Sequence, residues 1–529
     1  MWMILEQNLT RMRAFAIYGV MLILVAIYIN TCVDLVATAR FWMDEALAIV
    51  AARQESFSAV WDAIWNGAEF SPPAYHFLLH LAPHLGGVGD FVLLRLPSIL
   101  ALLFSALCIY GLLQSRLSKP LALLGFGVAL NSGLFVFALQ ARQYALVALC
   151  LSLALLLWDD RDRGNISRPR AFLLWLTLVA AICLHVYGLM AGVVIGLCEA
   201  MWFIRGRRIR LAIWGALLGT LPVVALLARL LLHLASFNSH DQSSGAYYAK
   251  PTFERFNDAV VDLLIGNGGI KLIVFAALIG VACGAVFFAR IETGLGQRLE
   301  RVWPQEPPQA SPDNLNIILL AMLLMPLVAQ AFSVVVTGAF SPRYISAFAL
   351  FPALAIPAAI ARLRFGRLLA LALIPVVIGA FWLQNRRGVG AEKITFALDM
   401  LRGVETTKPI VIAEGLLYIE LAVAADPALK ARLHFLKHAP AAEGDTTNEN
   451  QALRLASIDG AFRVEAFDAF VSQNPEFYVF YRPQETADLV TPELAKRCMI
   501  KTLAQLRGGV MLLEAGAPMA PDGRCKPAL

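Results

Sequence analysis

Charge is what this chain has least of. Asp, Glu, Lys and Arg together make up 16% of its 529 residues, while 59% are hydrophobic; an ordinary soluble domain is about a quarter charged and under half apolar. Mean hydropathy is +0.67. The shortage excludes a soluble globular protein. The small basic excess, a net charge of +6, does not point to nucleic acid, because the basic residues sit in short segments between apolar runs, where they encode orientation in a membrane. Also missing, in the portion after residue 385, are a G-x-G-x-x-G turn, a P-loop and zinc-ligand spacing, so no nucleotide or zinc motif can be read there. Internal repeats and a long polar tail are absent as well. Cysteine is sparse at eight residues. Cys32, Cys108, Cys150, Cys183, Cys198 and Cys283 lie in or beside apolar runs and read as small buried side chains. Cys498 and Cys525, near the C-terminus, either pair in an oxidising compartment or stay free thiols.

What the chain has instead is long apolar runs, at 14–33, 91–113, 121–158, 171–204, 211–235, 270–289, 315–337, 345–361 and 368–383. About 20 residues span a membrane as a helix. The first run has that length and ends without a small-residue cleavage site, so it reads as a retained helix rather than a signal peptide. The runs 121–158 and 171–204 are too long for one crossing, and basic segments flank each at both ends. Two crossings apiece, turning near Asn131–Gln140 and Tyr187–Gly188, put those segments on one side, as the positive-inside rule asks. The expectation is a polytopic α-helical membrane protein with about eleven transmembrane helices. Its N-terminus and the loops 114–120, 159–170, 205–210, 290–314 and 362–367 are cytoplasmic. Residues 34–90, the turns near 135 and 187, the loop 236–269, the stretch 338–344 and everything after about 385 face outward.

After 385 the pattern changes. "PIVIAE" and "EFYVFY" read as buried strands and "DPALKARL" as a helix opened by Asp-Pro. Two parts are therefore expected: residues 1–385 in the membrane, with 34–90 as the first outer loop, and 386–529 as a small outer α/β domain.

Nearly all the costly polar residues fall on the outward side of this topology. Asp44 and Glu45 stand together in "FWMDEALA", Glu69 precedes "FSPPAYHFLLH", and "SFSAVWDAIWNG" reads as an amphipathic helix at the interface. Later turns carry "ARQYAL" with Arg142 and Tyr144, "HVYG" with His185 and Tyr187, and "SPRYISAF" with Arg343 and Tyr344. Charge at membrane depth usually marks function. Guanidinium groups match a phosphate in a bidentate fork, and a carboxylate can take a proton from a hydroxyl. Each residue also has a plainer reading. The acidic pair could flank a helix, the arginines could anchor at the interface, and His185 could bond within a tight turn.

These motifs, with "RLPS" opening the second helix, together resemble the GT-C superfamily of integral-membrane glycosyltransferases, in the branch of protein O-mannosyltransferases and lipid A aminoarabinose transferases. The resemblance covers roughly residues 10–385. It implies a GT-C-like fold, an outward-facing active site, a C-terminal soluble outer domain, and a polyprenyl-phosphate-linked sugar as donor. It also implies an inverting single-sugar transfer to an acceptor hydroxyl, with Asp44 as general base and Glu45 beside it. Arg142 with Tyr144, and Arg343 with Tyr344, would hold the donor phosphate, His185 and Tyr187 would join that site, and Glu69 would contact the sugar. The setting it implies is a bacterial inner membrane with chemistry on the periplasmic face, in lipopolysaccharide or protein glycosylation. Phe70 and Ser71 stand where aminoarabinose transferases carry a Lys, so the class is implied rather than that donor. The acceptor, whether lipid, glycan or protein, would be chosen by the outer domain and the 236–269 loop. No essential metal is expected, though Asp44, Glu45, Glu69 and His76 could offer ligands to a divalent cation. Two rivals share parts of this pattern: a lipid-linked substrate transporter or flippase, and a ligase or polymerase of lipid-linked glycans.

Overall fold

The computed structural model describes residues 2–39, 41–82, 87–159, 166–243, 249–266, 268–290, 313–385, 392–404, 408–437, 447–460, 462–481, 490–505 and 511–516. Cys525 and most of the 290–314 loop lie outside the described residues. The chain forms two compact units: Met1–Ala37, Gly86–Arg229 and Tyr248–Arg387 make the first, and Thr38–Leu85, Leu230–Tyr247 and Gly388–Leu529 the second.

The first unit is helical. Among the described residues seven helices are long and apolar enough to cross a membrane, or eight if the bent pair Phe253–Gly266 and Gly268–Gly284 is one span. This is fewer than the eleven crossings expected. The two long runs do break where the sequence suggested, but 121–158 becomes helices Lys119–Leu130 and Tyr144–Trp158, of 12 and 15 residues. Both fall short of the ~20 residues that span a hydrocarbon core. The break between them holds Asn131 and Ser132, both fully buried. Asn131 Nδ2 and Ser132 Oγ donate to the carbonyls of Gly127 and Ala129, so their polar groups are met within the chain, as an apolar setting requires. The run 171–204 becomes Arg168–Leu184 and Leu189–Ile204, hinged by a three-residue 3-10 turn at Val186–Gly188.

At the ends of these helices where the basic segments lie, charge is buried and paired. Arg116 Nε donates to Asp159 Oδ2 at 3.0 Å, and Asn314 Nδ2 adds a bond to Asp159 Oδ1 at 3.3 Å. Arg170 closes the carbonyl end of Tyr144–Trp158 by donating to Leu156, Leu157 and Asp159 at 2.8, 2.6 and 2.9 Å. Arg210 pairs with Glu199, whose Oε1 also accepts from Trp158 Nε1 at 2.7 Å. The Arg210 guanidinium lies 4.9 and 4.6 Å from the ring centres of Trp158 and Trp202. Breaking one partner of such a buried pair costs about 3–5 kcal/mol, so these contacts fix how the helix ends meet.

The second unit is built on a six-stranded sheet in the order β3-β2-β1-β4-β6-β5. The strands are β1 Ile410–Ile412, β2 Leu433–Lys437, β3 Val464–Ala466, β4 Glu476–Tyr481, β5 Ile500–Gln505 and β6 Met511–Gly516. Those from β3 to β4 run parallel, with Val411 opposite both His434 and Val479, while β6 and β5 are antiparallel. Alternation sends Ile410 and Ile412 into one core with Leu417, Leu421 and Leu455, and Val411 and Ala413 into the other with Phe467, Phe470 and Leu494. Helices thus cover both faces of the sheet. The strands expected in "PIVIAE" and "EFYVFY" are β1 and β4. The "DPALKARL" helix is a single turn, Pro427–Lys430, whose N-cap Asp426 accepts from Leu429 N–H at 3.0 Å. That bond, with Arg402 beside it, holds the Asp426 carboxyl below its ordinary range. Cys498 is disulfide-bonded.

His434 on β2 donates from Nδ1 to Glu465 Oε1 at 2.7 Å, yet burial outweighs this pairing and pushes its pKa below the ordinary histidine value. A base whose pKa falls on folding binds more protons in the unfolded chain. Stability is therefore whole above about pH 6.5 and is lost as pH falls through the folded pKa. We expect the melting temperature of the purified protein to drop between pH 7.5 and 5.5, and to drop less in His434→Gln. An equal drop in both would assign the dependence to other groups.

Candidate active site

Five of the residues singled out from sequence meet in the first unit. Helix Tyr144–Trp158 begins after a turn in which Arg142 N–H donates to the Gln140 carbonyl at 2.8 Å, and Ser98 Oγ holds the Arg142 carbonyl at 2.8 Å. The Arg142 guanidinium lies 5.7 Å from the Tyr144 ring centre, within cation–π range. Tyr144 meets Phe137 and His185 edge-on at 5.6 and 5.5 Å.

His185 stands in extended conformation between two helical segments and caps the 3-10 turn, its Nδ1 accepting from Tyr187 N–H at 3.2 Å. Accepting at Nδ1 leaves the proton of a neutral ring on Nε2. Tyr187 stacks on Tyr344 at 4.5 Å, with the rings 13° apart. Its hydroxyl shares hydrogen bonds with Ser333 Oγ, Thr337 Oγ1 and the Ala339 carbonyl at 2.6, 2.9 and 2.9 Å. The partners of Tyr187 come from irregular backbone: a π turn at Ser333–Thr337, Gly338 at φ +63°, and a 3-10 stretch at Pro342–Leu350 that carries Arg343 and Tyr344. Such breaks occur where a chain lines a cavity. The Arg343 guanidinium lies 5.9 Å from the Tyr344 ring centre.

Tyr144, His185, Tyr187, Arg343 and Tyr344 line one narrow cavity, floored by Val147, Leu151 and Met325. A guanidinium, the phenols of Tyr144 and Tyr344 and an imidazole N–H around an apolar floor are groups that bind an anion with an apolar attachment, while the Tyr187 hydroxyl is taken up by its protein partners. Sequence reasoning missed the hydroxyls of Ser333 and Thr337. Two small polar residues in a long apolar run gave no signal until Tyr187 was seen to meet them.

Asp44, Glu45 and Glu69 belong to the second unit. Asp44 and Glu45 fall in the first turn of helix Met43–Ala52, where acids complement the helix dipole. Glu45 is 1% exposed, and its Oε2 accepts from Trp42 N–H at 3.2 Å, so it caps the helix. Asp44, half-buried, shares that turn. Glu69 is buried; its Oε1 accepts from Phe70 N–H and Ser71 Oγ at 3.0 and 3.1 Å, and its Oε2 lies 3.9 Å from His76 Nε2. Among the described residues no three or more His, Cys, Asp or Glu are grouped to hold a metal ion. The "SFSAVWDAIWNG" segment is helix Phe57–Trp65, capped by Ser56 Oγ, which accepts from Ala59 N–H at 3.2 Å.

No protein-family model matches the sequence, and no curated protein matches it in sequence. Solved structures do match in fold. ArnT from Cupriavidus metallidurans bound to undecaprenyl phosphate aligns over 94% of this chain and 98% of its own, at 14% identity with a TM-score of 0.54. The same protein in the apo state aligns over the same shares at 14% identity with a TM-score of 0.55. The fold is thus that of ArnT, the GT-C-like fold expected from the sequence, with a sheet-bearing C-terminal portion. The oligosaccharyltransferase AglB from Archaeoglobus fulgidus is more distant, at 12% identity and a TM-score of 0.43 over 94% of this chain and 74% of its own.

The close turn at Gly188 offers a check on this geometry. A Cβ there would stand 1.9 Å from the Ala181 carbonyl oxygen, so any larger residue must push the 3-10 turn off the preceding helix. Gly188→Ala is expected to destabilise the protein by about 1–3 kcal/mol, measured as a lower melting temperature in detergent. An unchanged melting temperature would contradict this packing.

Proposed function

We propose that the chain is an integral-membrane glycosyltransferase. It moves a single sugar from a polyprenyl-phosphate donor to an acceptor hydroxyl, with inversion at the anomeric carbon. The observation that carries the reading is the cavity on which Tyr144, His185, Tyr187, Arg343 and Tyr344 converge, in a chain with the fold of ArnT. That this neighbour is bound to undecaprenyl phosphate supports a lipid phosphate as the anion.

In this reading the Asp44 carboxylate takes the proton of the acceptor hydroxyl as the oxygen attacks the anomeric carbon. The new C–O bond forms as the bond to the phosphate oxygen breaks, and the polyprenyl phosphate leaves with the electron pair. Arg343 and Arg142 meet the charge that develops on that phosphate, the phenols of Tyr144 and Tyr344 orient it, Tyr187 holds the Tyr344 ring by stacking on it, and His185 Nε2–H donates to it. Glu45 holds the turn that presents Asp44, and Glu69 shapes the Pro-Pro turn near the sugar. No essential metal is invoked, and a divalent cation acting with the acids is the variant to test. Residues 1–385 would carry donor and chemistry, and 386–529 would help choose a lipid, glycan or protein acceptor. The basic loops support a cytoplasmic N-terminus in a bacterial inner membrane. The disulfide at Cys498 supports a C-terminal portion outside it.

Purified protein offered a panel of polyprenyl-phosphate sugars, with products read by mass spectrometry, tests the reading. One donor should be consumed, and Asp44→Asn and Arg343→Ala should each lower the rate by about 100-fold or more while remaining folded. Full turnover by Asp44→Asn, or no donor consumed by any sample, would overturn it.

A further inference from the structure

The first turn of helix Met43–Ala52 is held from two directions. The opening N–H groups of any helix have no partner inside it and must be met by side chains, water or ligands. Here Trp42 N–H goes to Glu45 three residues on, but Met43 N–H donates to Glu420 Oε1 at 2.9 Å, across 377 residues of chain. Glu420 lies on helix Gly415–Ala424, which follows β1 in the sheet. A local cap leaves a helix free to tilt with its own loop. A cap from another element ties the turn to that element.

The tie does not stand alone. Helix Gly415–Ala424 contributes Leu417, Ile419 and Leu421 to a buried cluster that also takes Leu47, Val50 and Ala51 from the Asp44 helix. At the far end of the same segment, Gln451 on helix Thr447–Ile458 is 2% exposed and donates from Nε2 to the Ala68 carbonyl at 2.6 Å. One turn on, the Arg454 guanidinium lies 5.4 Å from the Phe70 ring. The segment that carries Asp44 and Glu69 is thus gripped at its start by Glu420 and at its end by Gln451 and Arg454, all from the sheet-bearing part of the chain.

We infer that Glu420 is a positioning residue for Asp44: by accepting the Met43 N–H it sets the direction in which the first turn presents the Asp44 carboxylate. The inference rests on the reading of Asp44 as general base. It gives the C-terminal portion a second task beside acceptor choice, as the frame on which the base is aimed. Catalysis is steep in such placement, since a displacement of ~1 Å can cost about 100-fold in rate. A carboxylate oxygen and an amide oxygen accept the same N–H, so glutamine should serve in its place and alanine should not.

The test compares Glu420→Ala, Glu420→Gln, Asp44→Asn and the Asp44→Asn/Glu420→Ala pair in the full-length protein, by transfer kinetics and by hydrogen exchange. In Glu420→Ala we expect faster exchange in the peptide covering 42–47, and kcat lowered by roughly 10- to 100-fold with the donor KM within about two-fold of wild type. Glu420→Gln should recover most of both. In the double variant Glu420→Ala should add nothing to the loss caused by Asp44→Asn, because residues acting as one unit are not additive. Unchanged exchange in Glu420→Ala, an unchanged kcat, a Glu420→Gln as slow as Glu420→Ala, or an additive loss would each overturn the inference. Full turnover by Asp44→Asn would instead sink the general-base reading, and the exchange data would still decide whether the tie exists.

Discussion

An apolar surrounding offers no water to an unpaired charge or a bare peptide group, and the first unit is arranged around that constraint. The buried ion pairs described above, Arg116 with Asp159 and Arg210 with Glu199, sit at helix ends. Helix Tyr144–Trp158 carries the contrast in one element. At its last turn Trp158 meets the Glu199–Arg210 pair, and the adjacent Asp159 meets Arg116. At its first turn Tyr144 faces His185 and the Arg142 guanidinium. The helix is 15 residues long, which puts Tyr144 and Trp158 about 21 Å apart at a rise of 1.5 Å per step. At one end Glu199 and Asp159 are paired with arginines. At the other, Arg343, phenols and an imidazole line a cavity.

The second unit follows a different logic. Three short parallel crossovers put helices on one face of the sheet and then the other, so that Ile410 and Ile412 enter one core while Val411 and Ala413 enter its opposite. The first of these cores is completed by residues from the segment after the first long helix, among them Leu47, Val50 and Ala68. Burying such side chains is worth about 1.5–3 kcal/mol each for the large ones. The acidic segment is therefore part of the sheet unit's core rather than a free outer loop.

Local pattern made much of this legible. The turns near Asn131 and Tyr187, the strands at 410–412 and 476–481, and the cap at Asp426 all carry short-range signals, and each sits where the sequence suggested. The motifs "ARQYAL", "HVYG" and "SPRYISAF" named six residues, of which all but Arg142 line one cavity. The number of full crossings was not legible, because hydropathy cannot separate a 20-residue span from two short helices joined by a buried Asn131-Ser132 break. Nor was the Glu420–Met43 bond, since nothing within a few residues of either partner announces a contact 377 positions away. The capping of Glu45 and the inward turn of Glu69 were equally hidden. An acid's sequence neighbours do not say whether its oxygens face a substrate or its own backbone.

The central claim is that the Arg343 cavity recognises a lipid-linked phosphate, and binding tests it without any need to know the sugar. Native mass spectrometry of the protein with polyprenyl phosphate or with the parent polyprenol, in wild type and Arg343→Ala, separates phosphate recognition from simple adhesion of the lipid tail. The account predicts that wild type retains the phosphate form over the alcohol by at least about ten-fold, as expected of a bidentate charge-assisted contact, and that Arg343→Ala loses this preference. Equal retention of alcohol and phosphate by the wild type, or an undiminished preference in the variant, would contradict it.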